Sequence, residues 1–233
     1  GASKGEGLGN KFLSHIREVD AVCHVVRAFS DPDIIKQGVT NPKEDFEVVK
    51  LELDLADLDH PDAPPLAEKP ILVALNIDEK DLSKSKEIEM EFAKENNLKS
   101  DQVVAVCAKT ESELSELSVD EQKAYLADLG IKESALDRLI KKAFATLGLA
   151  TFLTAGEKEV RAWTLPSGWP AVRASSVIHT DFEKKFIKAD VCDFEKFIKA
   201  PGWKASREKG YVRSEGRDYI MKDGDVVEFK IGS

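Results

Sequence analysis

Two polar stretches follow directly on apolar runs. Asn76-Ile77-Asp78-Glu79 comes after "KPILVAL" (69–75), and Cys107-Ala108-Lys109 comes after "DQVVAV" (101–106). An asparagine amide offers both donor and acceptor, an ionised glutamate only acceptors, and a lysine only donors. Such a set can read the polar edge of a ligand. Asn also ends strands in ordinary turns, and that plainer reading stands beside the first. A third stretch, "GASKGEGLGN", places Gly1, Gly5, Gly7 and Gly9 in a flexible loop ahead of a helix that Asn10 could cap. Other chemistries fail on spacing. His15, His24, His60 and His179 form no HExxH pair, and His24 alternates within an apolar run as a packed residue does. His179-Thr180-Asp181 lacks an activated Ser or Cys motif, so Thr180 or Asp181 reads as a helix cap. Cys23, Cys107 and Cys192 lie far apart without CxxC spacing, which argues against a disulfide scaffold and fits a reducing, cytoplasmic setting.

The elements that must hold these residues are legible from periodicity. "AVCHVVRAF" (21–29), "KPILVALN" (69–76) and "DQVVAVCA" (101–108) are nearly unbroken apolar runs, as in parallel strands covered on both faces. Helical spacing lies between them: Phe12 and Ile16, then Ile88 and Phe92. Ser118 and Glu121 form a capping box for a helix that Gly130 stops. Leu136, Leu139, Ile140, Ala143, Phe144 and Leu147 make the stripe of a further helix ended by Gly148. The acidic helix 44–59 reads as a solvated face. Strands alternating with helices imply an α/β fold, and such sheets bind ligands beyond the carboxyl ends of their strands. Both polar stretches fall there.

The 233 residues have a globular composition and no apolar run of membrane-spanning length. The formal charge of −9 is uneven. Residues 1–150 carry 19 Lys and Arg against 30 Asp and Glu; residues 151–233 carry 15 against 13. A mildly basic second module points weakly to nucleic acid, and its plainer reading is an ordinary surface.

The two strand ends sit where GTPase-type P-loop proteins carry Asn-Lys-x-Asp and Ser-Ala-Lys. The Asn-x-x-Glu form, with "GASKGEGLGNKFLSHIREVDAVCHVVRAF", "TFLTAGEKEVRAW" and "IHTDFEKKFI", resembles the YchF or Obg-like ATPases over nearly the whole chain. The resemblance implies a P-loop NTPase-like parallel sheet over residues 1–148 and a C-terminal α+β β-grasp TGS domain over 149–233. It implies that Asn76, Ile77, Glu79, Ala108 and Lys109 bind the base. Glu79 in place of Asp, and Ile77 in place of Lys, remove the guanine-reading set, so ATP is preferred and GTP also accepted, with Asn76 on the adenine edge and Ile77 on the ring. Gly1, Gly5, Gly7 and Gly9 become the second switch, near the γ-phosphate.

The likeness is incomplete. No GxxxxGK[ST] string or first switch is present, and the Pro-rich joint "LDHPDAPPLAEKP" (near 60–68) is too short for the family's coiled-coil arm. Either the chain is truncated, or these residues are the ordered part of a longer protein; the second reading is favoured, since a sheet lacking its P-loop strand exposes a raw edge. These residues alone are expected neither to grip a triphosphate nor to hydrolyse it, and to hold no metal. The complete enzyme would hydrolyse ATP to ADP and phosphate with Mg²⁺, with GTP as an alternative substrate, coupled to ribosome or translation-factor binding. The alternative is an RNA- or protein-binding TGS module without hydrolysis. No membrane or DNA partner is expected.

In the second module "KEVRAWTLP" reads as a strand alternating Val160, Ala162 and Thr164. A helix, a strand and an amphipathic piece with Phe194, Phe197 and Ile198 follow. "RDYIMKDGDVVEFKI" reads as a hairpin turning at Asp223-Gly224. TGS domains are associated with RNA and ribosome-bound regulators, which makes Lys184, Lys185, Lys188 and Arg213 candidates for RNA or the ribosome, with Arg161, Arg207 and Arg217 also able to meet phosphates. Lys184, Lys185 and Lys188 are expected at near-helical spacing.

Overall fold

The three apolar runs become three parallel strands, β1 (Val22–Ala28), β2 (Ile71–Ile77) and β3 (Val103–Val106), in the order β1-β2-β3. Register runs from Val22 opposite Ile71 to Ala28 opposite Ile77, and from Val73 opposite Val103 to Asn76 opposite Val106. The computed structural model describes residues 8–30 and 41–232. These divide into two compact units, one ending at Leu147 and the other beginning at Gly148.

In the first unit α1 (Leu8–Glu18) precedes β1, and α2 (Pro42–Asp59) packs on β1. The Asn41 side chain caps α2 by accepting from the Glu44 amide. α3 (Ser85–Glu95) packs on β3. α4 (Ala108–Ser115) and α5 (Val119–Asp128) follow, and α6 (Ala135–Thr146) lies against β2 and β3. The Glu121 carboxylate accepts from both the amide and the hydroxyl of Ser118 at the start of α5. Gly130 and Gly148, at φ +70° and +62°, occupy the left-handed conformation that ends α5 and α6. The core gathers Val26, Phe46, Val73, Leu75, Ile77, Phe92, Val103 and Ala105.

Some expectations change here. Asn10 lies inside α1, whose helical turns begin two residues earlier, so it is not the cap. Leu13, not Phe12, is the buried residue of α1, packing with Leu53, Ala56 and Leu66. α2 is not simply a solvated face: Phe46, Leu53 and Ala56 are buried, and Val48, Val49, Leu51 and Leu55 are exposed. The stripe of α6 is only partly covered, with Leu136, Ile140 and Leu147 exposed. The short joint after α2 is closed by Asp57, whose carboxylate accepts from the amides of Leu66 and Ala67.

The second unit is a five-stranded mixed sheet. Its strands are β4 (Leu149–Ala155), β5 (Val160–Pro166), β6 (Phe186–Asp193), β7 (Arg213–Glu215) and β8 (Asp225–Ile231), in the order β5-β4-β8-β6-β7. β4 and β8 are parallel, and the other pairs are antiparallel. Short helices α7 (Ala171–Ser175), α8 (Thr180–Lys185), α9 (Phe194–Lys199) and α10 (Trp203–Glu208) complete it. Phe152, Leu165, Ala171, Ala174, Val191 and Val227 form its core.

The expected closing hairpin is absent. β8 already has β4 on one side and β6 on the other, so the residues before Asp223-Gly224 have no free edge to join. Tyr219 and Met221 instead bond Ala171 and Trp169, while Asp223 caps the Thr151 amide. On β5 the inward residues are Trp163 and Leu165; Val160, Ala162 and Thr164 face outward. The cap of α8 is His179, whose Nδ1 accepts from the Asp181 amide, rather than Thr180 or Asp181.

Candidate functional site

β2 and β3 end beside each other, so parallel register alone brings Asn76 next to the first turn of α4. Asn76 Oδ1 accepts from the Ala108 amide at 3.1 Å. That bond fixes the carboxamide, whose NH₂ donates to no partner among the described residues and so offers donors to a ligand. The Lys109 ammonium meets Glu79 Oε2 at 3.0 Å, and this pairing raises the lysine pKa. Four of the five expected base-binding residues, Asn76, Glu79, Ala108 and Lys109, are therefore gathered at the carboxyl ends of two strands.

Ile77 is not among them. It is 3% exposed and packs in the core with Val26 and Phe46. Strand alternation sends Val73, Leu75 and Ile77 to one face of β2, so the expected stacking of Ile77 on a base is corrected. Gly1, Gly5 and Gly7 of the expected switch loop lie outside the described residues, and Gly9 falls within α1.

The residue between Ile77 and Glu79 was not singled out from sequence. Asp78 Oδ2 accepts from the Ser30 amide at 3.2 Å and the Ser30 hydroxyl at 3.0 Å, and Lys80 lies 3.4 Å away. Desolvation pushes the carboxyl up, but the two Ser30 bonds and Lys80 outweigh it and hold Asp78 below the usual carboxylate range. Ser30 is 48 positions away in the chain, so no local pattern could reveal the pairing.

His24, read as a packed residue, is 6% exposed on β1 with its ring 5.5 Å from that of Phe46. Neither ring nitrogen has a hydrogen-bond partner among the described residues, and burial lowers its pKa. Among the described residues no cluster of three His, Cys, Asp or Glu is placed to hold a metal ion, and no helix is long and apolar enough to cross a membrane.

The basic candidates of the second unit separate into committed and free groups. Lys188 lies on β6, not on the helix of Lys184 and Lys185, and is bound to Ser214 and Asp190. The expected near-helical grouping of the three is thereby corrected. Arg213 is held by Glu215 and the Tyr219 hydroxyl, Arg207 by Glu228 and Asp190, and Arg217 by the Phe186 carbonyl. Arg161 lies 4.0 Å over the Trp163 ring. Lys184 and Lys185, on α8, are exposed with no ion pair among the described residues.

Comparison with known proteins fits this arrangement. The family model YchF-GTPase_C, described as a protein of unknown function (DUF933), matches residues 149–232. A ribosome-binding ATPase YchF of Bacillus subtilis (strain 168) is 39% identical over 288 aligned residues, covering 99% of this chain and 78% of that protein. That alignment is longer than this chain, so the relative has residues within it that are absent here. Obg-like ATPase 1 of Pongo abelii is 34% identical, covering 100% of this chain and 74% of that protein. The solved structure of the Schizosaccharomyces pombe YchF GTPase superposes with a TM-score of 0.78 at 27% identity, over 99% of this chain and 77% of that one. The chain belongs to the YchF/Obg-like ATPase family.

Proposed function

We propose that these residues supply the base-binding half of a nucleoside triphosphate site, preferring ATP over GTP, in a cytoplasmic ATPase that associates with the ribosome. The observation that carries this reading is the meeting of Asn76, Ala108, Glu79 and Lys109 at the carboxyl ends of β2 and β3. The names of the relatives, ribosome-binding ATPase and Obg-like ATPase, support it. Hydrolysis to ADP and phosphate would further require a phosphate-binding loop, which the sequence does not contain. Among the described residues no carboxylate cluster is placed to hold Mg²⁺, so its ligands would have to come from the phosphate-binding loop and the nucleotide. The edge of β1, unpaired among the described residues, suits the strand that would carry such a loop.

In this reading residues 149–233 are a TGS domain of β-grasp type. The support is a five-stranded sheet with parallel β4 and β8 at its centre and helices between the outer strands. Its ribosomal contact would run through Lys184 and Lys185, which are exposed and carry no ion pair among the described residues.

The test is nucleotide binding by the complete protein. Asn76→Ala should weaken ATP binding by about 1–3 kcal/mol, the cost of unpaired buried polar groups. Unchanged affinity would remove Asn76 from the site. Glu79→Asp alone should move preference toward GTP. Pairing it with Ile77→Lys is uninformative, because that lysine would enter the core.

A further inference from the structure

The base-binding reading leaves Asp78 without a role, yet its carboxylate is the best-connected group in the stretch. One oxygen takes both the amide and the hydroxyl of Ser30, two residues past the end of β1. Asp78 is also where β2 gives way to the six-residue 3₁₀ helix Glu79–Lys84, at φ −70° and ψ 152°. Its backbone thus sets the direction in which Glu79 departs, and its side chain fastens that turning point to the neighbouring strand. Glu79 in turn meets Lys109, on the far side, from α4.

We propose that Asp78 is a positioning residue for base selection: by clamping Ser30 it fixes where Glu79 presents its carboxylate, and so the ATP-to-GTP preference. The proposal rests on the base-binding reading above. Its physical content is that an anion accepting two donors holds geometry more firmly than a neutral side chain. A carboxylate that must reject one base cannot be free to swing, because selectivity against a near-isostere depends on leaving its polar groups unpaired. Lys80 does not share this role, since its ammonium is mostly exposed and only flanks Asp78.

The test is equilibrium binding of ATP and GTP to the complete protein and its Asp78→Ala, Asp78→Asn, Ser30→Ala and Asn76→Ala variants. Asp78→Ala should lower ATP affinity about five- to tenfold, within the net scale of one intramolecular hydrogen bond because Asp78 acts only through Glu79, and compress the ATP-to-GTP ratio. Ser30→Ala should move the ratio in the same direction by less, since the Ser30 amide still donates. Asp78→Asn, which keeps an acceptor, should recover part of the preference. The double variant of Asp78→Ala with Ser30→Ala should be no worse than Asp78→Ala alone. Ser30 is exposed, so its substitution tests the clamp if Asp78→Ala does not fold. Asp78→Ala and Ser30→Ala with wild-type affinity and ratio, beside an Asn76→Ala that loses ATP, would overturn the clamp and keep the site. If Asn76→Ala also binds like the wild type, the base-binding reading falls and takes the clamp with it.

Discussion

At the β3 edge of the N-terminal sheet, side chains take the backbone groups that another strand would take. Glu89 accepts from the Ala105 amide, Arg138 donates to the Ala105 carbonyl, and Lys142 donates to the Val103 carbonyl. Glu89 also binds Arg138 at 2.7 Å and lies 3.6 Å from Lys142, so one buried carboxylate serves both cations. At the β1 edge no side chain among the described residues does this. A groove of about 600 Å³ runs beside it instead, lined by Phe12, Val25, Val48 and Val49. Val25 is 74% exposed. Proteins cover or charge the edges they intend to leave free. Among the described residues the sheet is therefore closed off at β3 and left open at β1.

The largest test of this contrast is at Glu89. Glu89→Ala leaves the Arg138 and Lys142 cations facing an unpaired Ala105 amide. Breaking a buried ion pair by removing one partner costs about 3–5 kcal/mol. Urea unfolding should show that loss as a lower midpoint with an unchanged slope. A loss under about 1 kcal/mol would mean that the β3 edge is not held by these side chains.

The contrast also shows what sequence could reveal. β1, β2 and β3 were legible because strands buried on both faces must be continuous apolar runs. The meeting of Asn76 and Ala108 was legible because adjacent parallel strands end side by side at their carboxyl ends. Glu89 was not, because a glutamate on a helix looks like a solvated residue until β3 is seen beneath it. Asp78 was hidden for the same reason, its partner being remote in the chain. Ile77 was misplaced because its position in the resembling motif outweighed the two-residue period of its own strand. The Asp223-Gly224 turn was a true local signal, but the partners of β8 were decided by β4 and β6.

A smaller effect is expected at His24, the polar residue buried on the open side. Its pKa is lowered by burial from 6.5 in the folded protein. Above pH 6.5 it is neutral folded and unfolded, and contributes no pH dependence. As pH falls through 6.5 toward the lowered folded value, the unfolded chain binds its proton first, so stability falls with falling pH. His24→Phe should flatten the stability profile over that window. A slope that survives the substitution would assign the pH response to other groups and leave the imidazole without thermodynamic consequence.

The smallest change in stability, and the most direct test of the open edge, is at Val25. Its side chain is largely in solvent, so Val25→Lys should alter folding free energy by no more than about 0.5 kcal/mol. Association is another matter. An unpaired strand beside an apolar groove is a template for a second strand, and a lysine there is a common deterrent. Sedimentation velocity of this chain should show concentration-dependent self-association that Val25→Lys suppresses, with no loss of secondary structure. The same lysine at Val103, which is fully buried on β3, should instead unfold the unit. If the wild-type chain stays monomeric at high concentration, β1 is protected by something other than a partner strand. The asymmetry between the two edges would then be one of charge alone.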